Sequence, residues 1–403
     1  MSEWKEYKLS ELGKLGRGKS KHRPRNDSSL FGGKYPFVQT GDIKAANFYI
    51  YDYSQTYSEK GLAQSKLWKK GTLCITIAAN IGETAILGID ACFPDSIIGF
   101  SAYESKSDVR FVKYLFDLLK IHFQSISQGT TQDNLSQEKL LTFKFKVPSL
   151  KTQQKIANIL STYDELIEVN TLRIKVLEET AQALYKEWFV RFRFPNYQQT
   201  EFIKGVPKGW EVKEIKDLYK TSSGATPSRV KSEYYENGNI NWVKTGELND
   251  SFIFETSEKI SELGIKKTSA KLFPPYTVIF AMYGNTIGQL GIITQPSATN
   301  QACCALLPLT EEFGFEFIFL TLFYNRQAII NLGMGAAQQN VSQEEIKKYK
   351  ILKPTDDLMI RFNKNISPIF NQIETLQSQN TELRQIRDRL LPRLISGRIS
   401  ISE

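Results

Sequence analysis

Three short stretches of this 403-residue chain carry residue types and spacings that could do chemistry. Gly13-Lys14-Leu15-Gly16-Arg17-Gly18-Lys19-Ser20 fits G-x-x-x-x-G-K-[ST], the pattern of a loop whose backbone N–H groups cradle nucleotide phosphates. Such a loop must leave a buried strand and open a helix. Here a charged segment precedes it and Lys21-His22-Arg23-Pro24 follows, so a basic loop is expected rather than an ATP site. Asp95 with Glu104-Ser105-Lys106 imitates a metal-nuclease set, which needs both acids at one Mg²⁺ beside the Lys. The second half of the chain answers Asp95 with Asn300 and has no matching acid–Lys pair, so Asp95 is expected to end or cap a strand. Pro274-Pro275-Tyr276 supplies three positions of an amino-methylation tetrapeptide, but Phe273 stands where Asn or Asp must accept from the target amino group. A turn into a strand from Thr277 to Phe280 is the expectation there. With only His22 and His122, and with Cys74, Cys92, Cys303 and Cys304 at no metal or redox spacing, no catalytic residue and no metal site is expected.

A second set of residues suits recognition. Gln132, Asn134, Gln338, Gln339 and Asn340 lie in polar, turn-rich stretches. Gln and Asn can pair a donor and an acceptor with the major-groove edge of adenine, though they are also ordinary turn residues. Lys19, Lys21, Arg23 and Arg25 cluster after an early Gly of the first half, and Arg229 and Lys231 do so in the second. Their functional reading is phosphate contact, and their plain reading is a solvated charged loop. Thr40, Asn80, Thr130, Thr226, Thr245 and Asn285 complete the candidate DNA-facing set. A net charge of +9 and a pI near 9.1 favour a polyanionic partner. No apolar run approaches the roughly 18 residues of a membrane span, and MSEWKEYKLSEL is no signal peptide, so a cytoplasmic protein without a membrane partner is expected.

These loops need something to hold them. From Lys151 to Phe194 apolar residues recur at alternating steps of four and three: Ile156, Leu160, Tyr163, Ile167, Asn170, Ile174, Leu177, Ala181, Leu184, Trp188. This is a heptad seam. Roughly 40 helical residues span about 60 Å, and such a helix requires a partner along its seam. The partner is in the same chain. Phe362, Ile366, Ile369, Ile373, Leu376, Asn380, Leu383, Arg387, Leu390 and Leu394 repeat the seam 206 positions later. The two helices are expected to pair as an antiparallel coiled coil, with Asn170 opposite Asn380 or, alternatively, with both Asn facing solvent at a shifted seam.

The offset extends to the rest of the chain. Trp210 answers Trp4, Gly224 answers Gly18, and the Gly335 loop answers the Gly129 loop, all 206 apart; Thr245-Gly246-Glu247 answers Thr40-Gly41-Asp42 at 205. The expected organisation is α+β, an internal tandem repeat of two globular domains, each followed by a long helix. Its parts are a first domain over 1–148, a central helix over 149–194, a linker over 195–209, a second domain over 210–354, a distal helix over 355–397 and a tail over 398–403. Shared framework with diverged loops suits two related tasks with different specificities.

At this point the residues resemble a known family. Leu390-Leu391-Pro392-Arg393-Leu394-Ile395-Ser396-Gly397-Arg398-Ile399 is similar to the distal region of the specificity subunits of type I restriction–modification enzymes. Trp188-Phe189-Val190 with Phe192, and Gln153-Gln154-Lys155-Ile156-Ala157, resemble their central region. The paired Thr-Gly-acid turns, and the pieces Asn80-Ile81-Gly82 and Asn285 with Ile287-Gly288, resemble the framework of their target recognition domains. The resemblance covers essentially the whole chain. It implies that each globular half reads one part of a split site in double-stranded DNA, with the helices as a spacer. It further implies two methyltransferase subunits that carry S-adenosylmethionine and methylate adenine N6. Restriction subunits driven by ATP, with Mg²⁺, are also implied, while no cofactor is bound by this chain. A stand-alone enzyme built on Lys19 or on Asp95–Glu104–Lys106, and a protein scaffold built on the coiled coil, are the competing readings.

Overall fold

The 206-residue offset recurs in three dimensions as one arrangement of strands built twice. The computed structural model describes residues 4–78, 80–128, 138, 143–333 and 340–399, with backbone alone for 121–128. Two compact units result, Met1–Thr171 with Gln379–Glu403, and Leu172–Ser378. Each holds one globular half, the start of one long helix and the end of the other.

In the first unit Lys5–Lys8 pairs with Lys144–Val147. A five-stranded sheet follows in the order Gly13–Arg17, Ile97–Ala102, Leu73–Thr76, Thr84–Leu87, Tyr49–Ile50, antiparallel except for the last pair. A four-stranded sheet runs Gln55–Tyr57, Phe31–Phe37, Ala91–Cys92, Leu67–Trp68. The second unit repeats all three. Glu211–Glu214 pairs with Lys350–Lys353. Tyr219–Ser223, Cys303–Pro308, Val278–Ala281, Leu290–Ile293 and Ser251–Ile253 form the five-stranded sheet. Lys259–Ile260, Ile240–Val243, Ser297–Thr299 and Leu272–Phe273 form the other. Even the register is shared, for Arg17 faces Ile98 and Ser223 faces Cys304.

The central strands are buried on both faces, which is why LCIT and VIFA read as unbroken apolar runs rather than alternations. Leu73 and Ile75 face the core under helix Val109–Gln128, while Cys74 joins the layer with Val38, Ala85 and Trp68. Val278 and Phe280 repeat the first choice against helix Phe315–Leu332, and Ile279 repeats the second with Val243 and Cys303. Burial pushes the Cys303 and Cys304 thiols up to about 12, and all four cysteines are free. The Gly-rich stretch expected as a loop is, from Gly13 to Arg17, a paired strand.

The long helices run Leu150–Tyr185, widening into one π-turn at Lys186–Val190, and Asp356–Ile395. The second ends on Gly397, whose φ of +72° is the left-handed value that lets a helix stop, with Trp4 packed against it. In the first unit Ile156 and Leu160 share a core with Leu394 and Ile395. Further along, Arg387 pairs with Asp164, and Asn380 donates to the Ile167 carbonyl (3.5 Å) and the Thr171 hydroxyl (3.4 Å). Rising positions on one helix meet falling positions on the other, so the pairing is antiparallel. Asn170 and Asn380 are both buried, and Asn380 bonds to the helical turn that carries Asn170. In the second unit Ile174, Ala181 and Trp188 pack with Phe362, Ile366, Ile373 and Leu376, the Trp188 and Phe362 rings lying 5.6 Å apart. Leu177 and Leu383 are half-buried at the seam's margins. Among the described residues no helix is long and apolar enough to cross a membrane.

Candidate nucleic-acid interface

Strand register decides which loops can act together. In the first unit Arg17 is level with Ile98, Ile97 with Thr76 and Ile75 with Thr84. The segments after Arg17, after Thr76 and before Ile97 therefore leave one end of the sheet. Backbone bonds tie them: Lys19 N–H donates to the Phe93 carbonyl (3.2 Å), Ile77 to Ser96 (3.0 Å), and Val38 to Cys92 (2.8 Å). The last brings in the Thr40 turn from the neighbouring sheet. Lys19, Lys21, Arg23 and Arg25 are exposed, and Thr40 and Asn80 are half-buried, around this one end.

The second unit gathers its counterparts in the same way. Ala225 N–H donates to the Thr299 carbonyl and Asn300 N–H to Val243, each at 3.0 Å, joining the Thr226 and Thr245 segments. The Thr226 hydroxyl donates to Gln301 at 2.5 Å. Asn285 is exposed on the turn Gly284–Thr286, and Tyr283 bridges to Asn340, which brings these two Asn-bearing loops together. Thr130, Gln132, Asn134, Gln338 and Gln339 lie outside the described residues.

Two glycines hold the leading loops against the sheets. A Cβ on Gly18 would lie 2.1 Å from the Pro94 carbonyl oxygen, and one on Gly224 would lie 1.9 Å from that of Thr299. Only glycine lets the backbone approach so closely. The Thr-Gly-acid turns have a local cause as well. Asp42 accepts from the Gln39 N–H (2.7 Å) at the start of helix Thr40–Ala45, and Glu247 accepts from Ser257 N–H (3.2 Å) and hydroxyl (2.6 Å).

The cations differ in freedom. Arg25 pairs with Asp95 (2.9 Å), and Arg17 donates to the Asp95 carbonyl. Arg229 makes a two-pronged contact with Glu258 (2.8 and 3.2 Å) and lies over the rings of Tyr235 and Trp242. Lys231 donates to the Tyr234 hydroxyl at 3.2 Å. Sequence reasoning missed Lys66, whose ammonium sits 3.3 Å from the Trp68 ring centroid. Burial, then the like charges of Lys14 and Lys19, hold its pKa below the ordinary lysine value. Such crowding of like charge is relieved by an anion. Lys220 and Lys271 occupy the positions of Lys14 and Lys66 in the second unit, Lys271 donating to the Ser222 hydroxyl at 2.8 Å. That recurrence was the signal that could have found them.

The enzyme-like motifs do not assemble. Gly13–Arg17 is consumed in a ladder, Gly18 N–H donates to Ile97, and the helix that follows, Ser28–Leu30, is a single turn, so no phosphate cradle forms. Asp95 and Glu104 lie beyond opposite ends of strand Ile97–Ala102. Tyr276 stacks on Phe315 (5.1 Å) and donates to Glu374 (3.3 Å), which fixes the Pro274-Pro275 turn.

A family model described as the type I restriction modification DNA specificity domain matches residues 1–179 and 207–387. The chain is 28% identical over 415 residues to the type I restriction enzyme MjaIX specificity subunit of Methanocaldococcus jannaschii, covering 100% of this chain and 94% of that one. It is 26% identical over 475 residues to the type I restriction enzyme HindI specificity subunit of Haemophilus influenzae, covering 99% and 100%. Its fold is similar to the crystal structure of a type-I restriction-modification system S subunit from M. genitalium, with a TM-score of 0.65, 16% identity, and 98% and 96% of the two chains covered. With two matched copies accounting for most of its length, the chain belongs to the family of type I restriction modification DNA specificity domains.

Proposed function

We propose that this chain is the non-catalytic DNA-specificity subunit of a type I restriction–modification complex. Each unit reads one half of a bipartite, asymmetric site in double-stranded DNA, and the paired helices set the gap between the halves. The observation that carries this reading is the gathering of loops at equivalent sheet ends in both units, with a retained lysine pair and different residues between. Lys14 with Lys66, and Lys220 with Lys271, suit phosphates, which position without specifying. Asn80, Thr40 and the Lys19 loop in one unit, and Asn285, Asn340, Thr226 and Thr245 in the other, suit base edges. Unlike loops in the two units give an asymmetric site, whereas identical loops would give a palindrome.

The partners in this reading are two methyltransferase subunits bearing S-adenosylmethionine and restriction subunits using ATP and Mg²⁺, in the cytoplasm. Apolar side chains left exposed on the first long helix suit such assembly: Ile159, Leu166 and Val169 are 39, 46 and 52% accessible. Leu166→Lys combined with Val169→Lys is expected to weaken co-purification of the methyltransferase subunit by about tenfold or more, since burying one such side chain is worth about 1.5–3 kcal/mol. Undiminished co-purification would place the docking surface elsewhere.

The deciding experiment maps N6-methyladenine across the genome with and without this gene, the methyltransferase subunit being present in both. Loss of one split, asymmetric motif is the expected result, and an unchanged methylome would overturn the reading. Deleting one heptad from both helices should then change the gap and keep both half-sites. Loss of a half-site instead would count against the spacer role.

A further inference from the structure

The two units solve one packing problem differently. In the first, Asp164 is buried on the long helix, and it accepts from the Tyr114 hydroxyl and from the Arg387 guanidinium. In the second, the positions 206 residues away are Phe370 for Asp164, Leu320 for Tyr114 and Ala181 for Arg387. Where the first unit places a guanidinium, the second therefore has a methyl group and a cavity of about 250 Å³ beside it. Drug-sized ligands occupy pockets of about 300–1,000 Å³, so this space suits a group the size of one side chain.

Its walls state the chemistry. Phe252, Phe319, Phe323 and Phe370 supply aromatic surface, and Glu178 and Asp250 supply carboxylates. Asp250 is engaged, accepting from Arg326 (2.5 Å) and from the Leu290 N–H (3.0 Å). Glu178 is half-buried, and no described residue forms an ion pair or hydrogen bond with its carboxylate. Burial and the neighbouring Asp250 charge raise its pKa, as befits an acid lacking a cation. Aromatic faces with an uncompensated carboxylate are the pattern that binds ammonium and guanidinium groups.

We propose that this cavity of the second unit is a binding site for an organic cation, a guanidinium or primary alkylammonium on a short aliphatic stem. The cation lies among the phenylalanine rings, with its charge against Glu178. The occupant has two sources of the same chemistry, a free amine or an Arg or Lys side chain of an assembled partner subunit. None of the candidate DNA-facing residues lines the cavity, so its test needs no DNA.

Titrating the full chain with agmatine, followed by calorimetry, is expected to show one saturable site. Glu178→Gln should weaken it by about tenfold or more, as loss of a desolvated charge pair does. Ala181→Leu should fill the cavity and abolish binding while leaving the melting temperature unchanged or higher. N-butylurea, of similar shape without charge, should bind at least about tenfold more weakly than agmatine. No saturable binding to the unaltered chain, equal binding in Ala181→Leu, or equal affinity for N-butylurea would each overturn the proposal. In the complex with methyltransferase subunits, blocked agmatine binding would identify a partner side chain as the occupant. Undiminished binding there would identify a free amine.

Discussion

Replacing Arg387 with Met is expected to destabilise the first unit by about 3–5 kcal/mol, the cost of leaving a buried carboxylate without its counter-charge. Asp164 is 1% accessible and has two partners, Arg387 and Tyr114. A neutral Tyr hydroxyl cannot compensate the charge by itself. The loss should be reversible by design. Arg387→Met together with Asp164→Leu and Tyr114→Phe removes the buried carboxylate with both of these partners, leaves only the exposed Asp388 without its Arg387 contact, and should recover most of the stability, because a buried pair replaced by apolar groups of similar volume is often neutral. The second unit already carries an apolar version of this site, with Ala181, Phe370 and Leu320 at the matching positions. Hydrogen exchange resolved by residue would read the first unit apart from the second. A loss below about 1 kcal/mol in Arg387→Met would mean that the Asp164 charge is not confined as the geometry indicates.

The second large effect concerns recognition. Gly224→Val is expected to abolish reading of one half-site, because its Cβ would lie 1.9 Å from the Thr299 carbonyl oxygen and the segment carrying Thr226 must move off the sheet. Base contacts are worth about 1–3 kcal/mol each, so losing several together should lower specific affinity by about a hundredfold or more. The salt-dependent, non-specific component should persist, since Lys220 stands on strand Tyr219–Ser223 and Lys271 directly precedes strand Leu272–Phe273, neither lying on the displaced loop. Gly18→Val should do the same for the other half-site, through the Pro94 carbonyl oxygen. Competition binding with duplexes altered in one half at a time would assign each glycine to its half-site. If Gly224→Val kept full discrimination in both halves, the loops at this sheet end would not be the reading surface.

Much of this was legible in the linear sequence, because it is periodic or repeated. The heptad steps of the two helices need only the neighbours at three and four residues, and the 206-residue offset needs only the chain compared with itself. Local glycine patterns were visible too, as in the pairing of Gly18 with Gly224, although the reason for them, a carbonyl oxygen about two ångströms from where a Cβ would stand, was not. What the sequence could not show were contacts between residues far apart along the chain. The Gly13–Ser20 motif looks like a phosphate loop until Ile97–Ala102 pairs with it and takes its N–H groups. Asp95 looks like a nuclease acid until Arg25, 70 residues away, claims its carboxylate. Asp164 and Arg387 are 223 positions apart, so neither carries a local mark of the other. The seam and the duplication were therefore determined by the sequence alone, through spacing that backbone geometry converts directly into a face. The tertiary structure alone decided which charges are paired, which loops share a sheet end and where a cavity is left, because those follow from strand register and long-range packing.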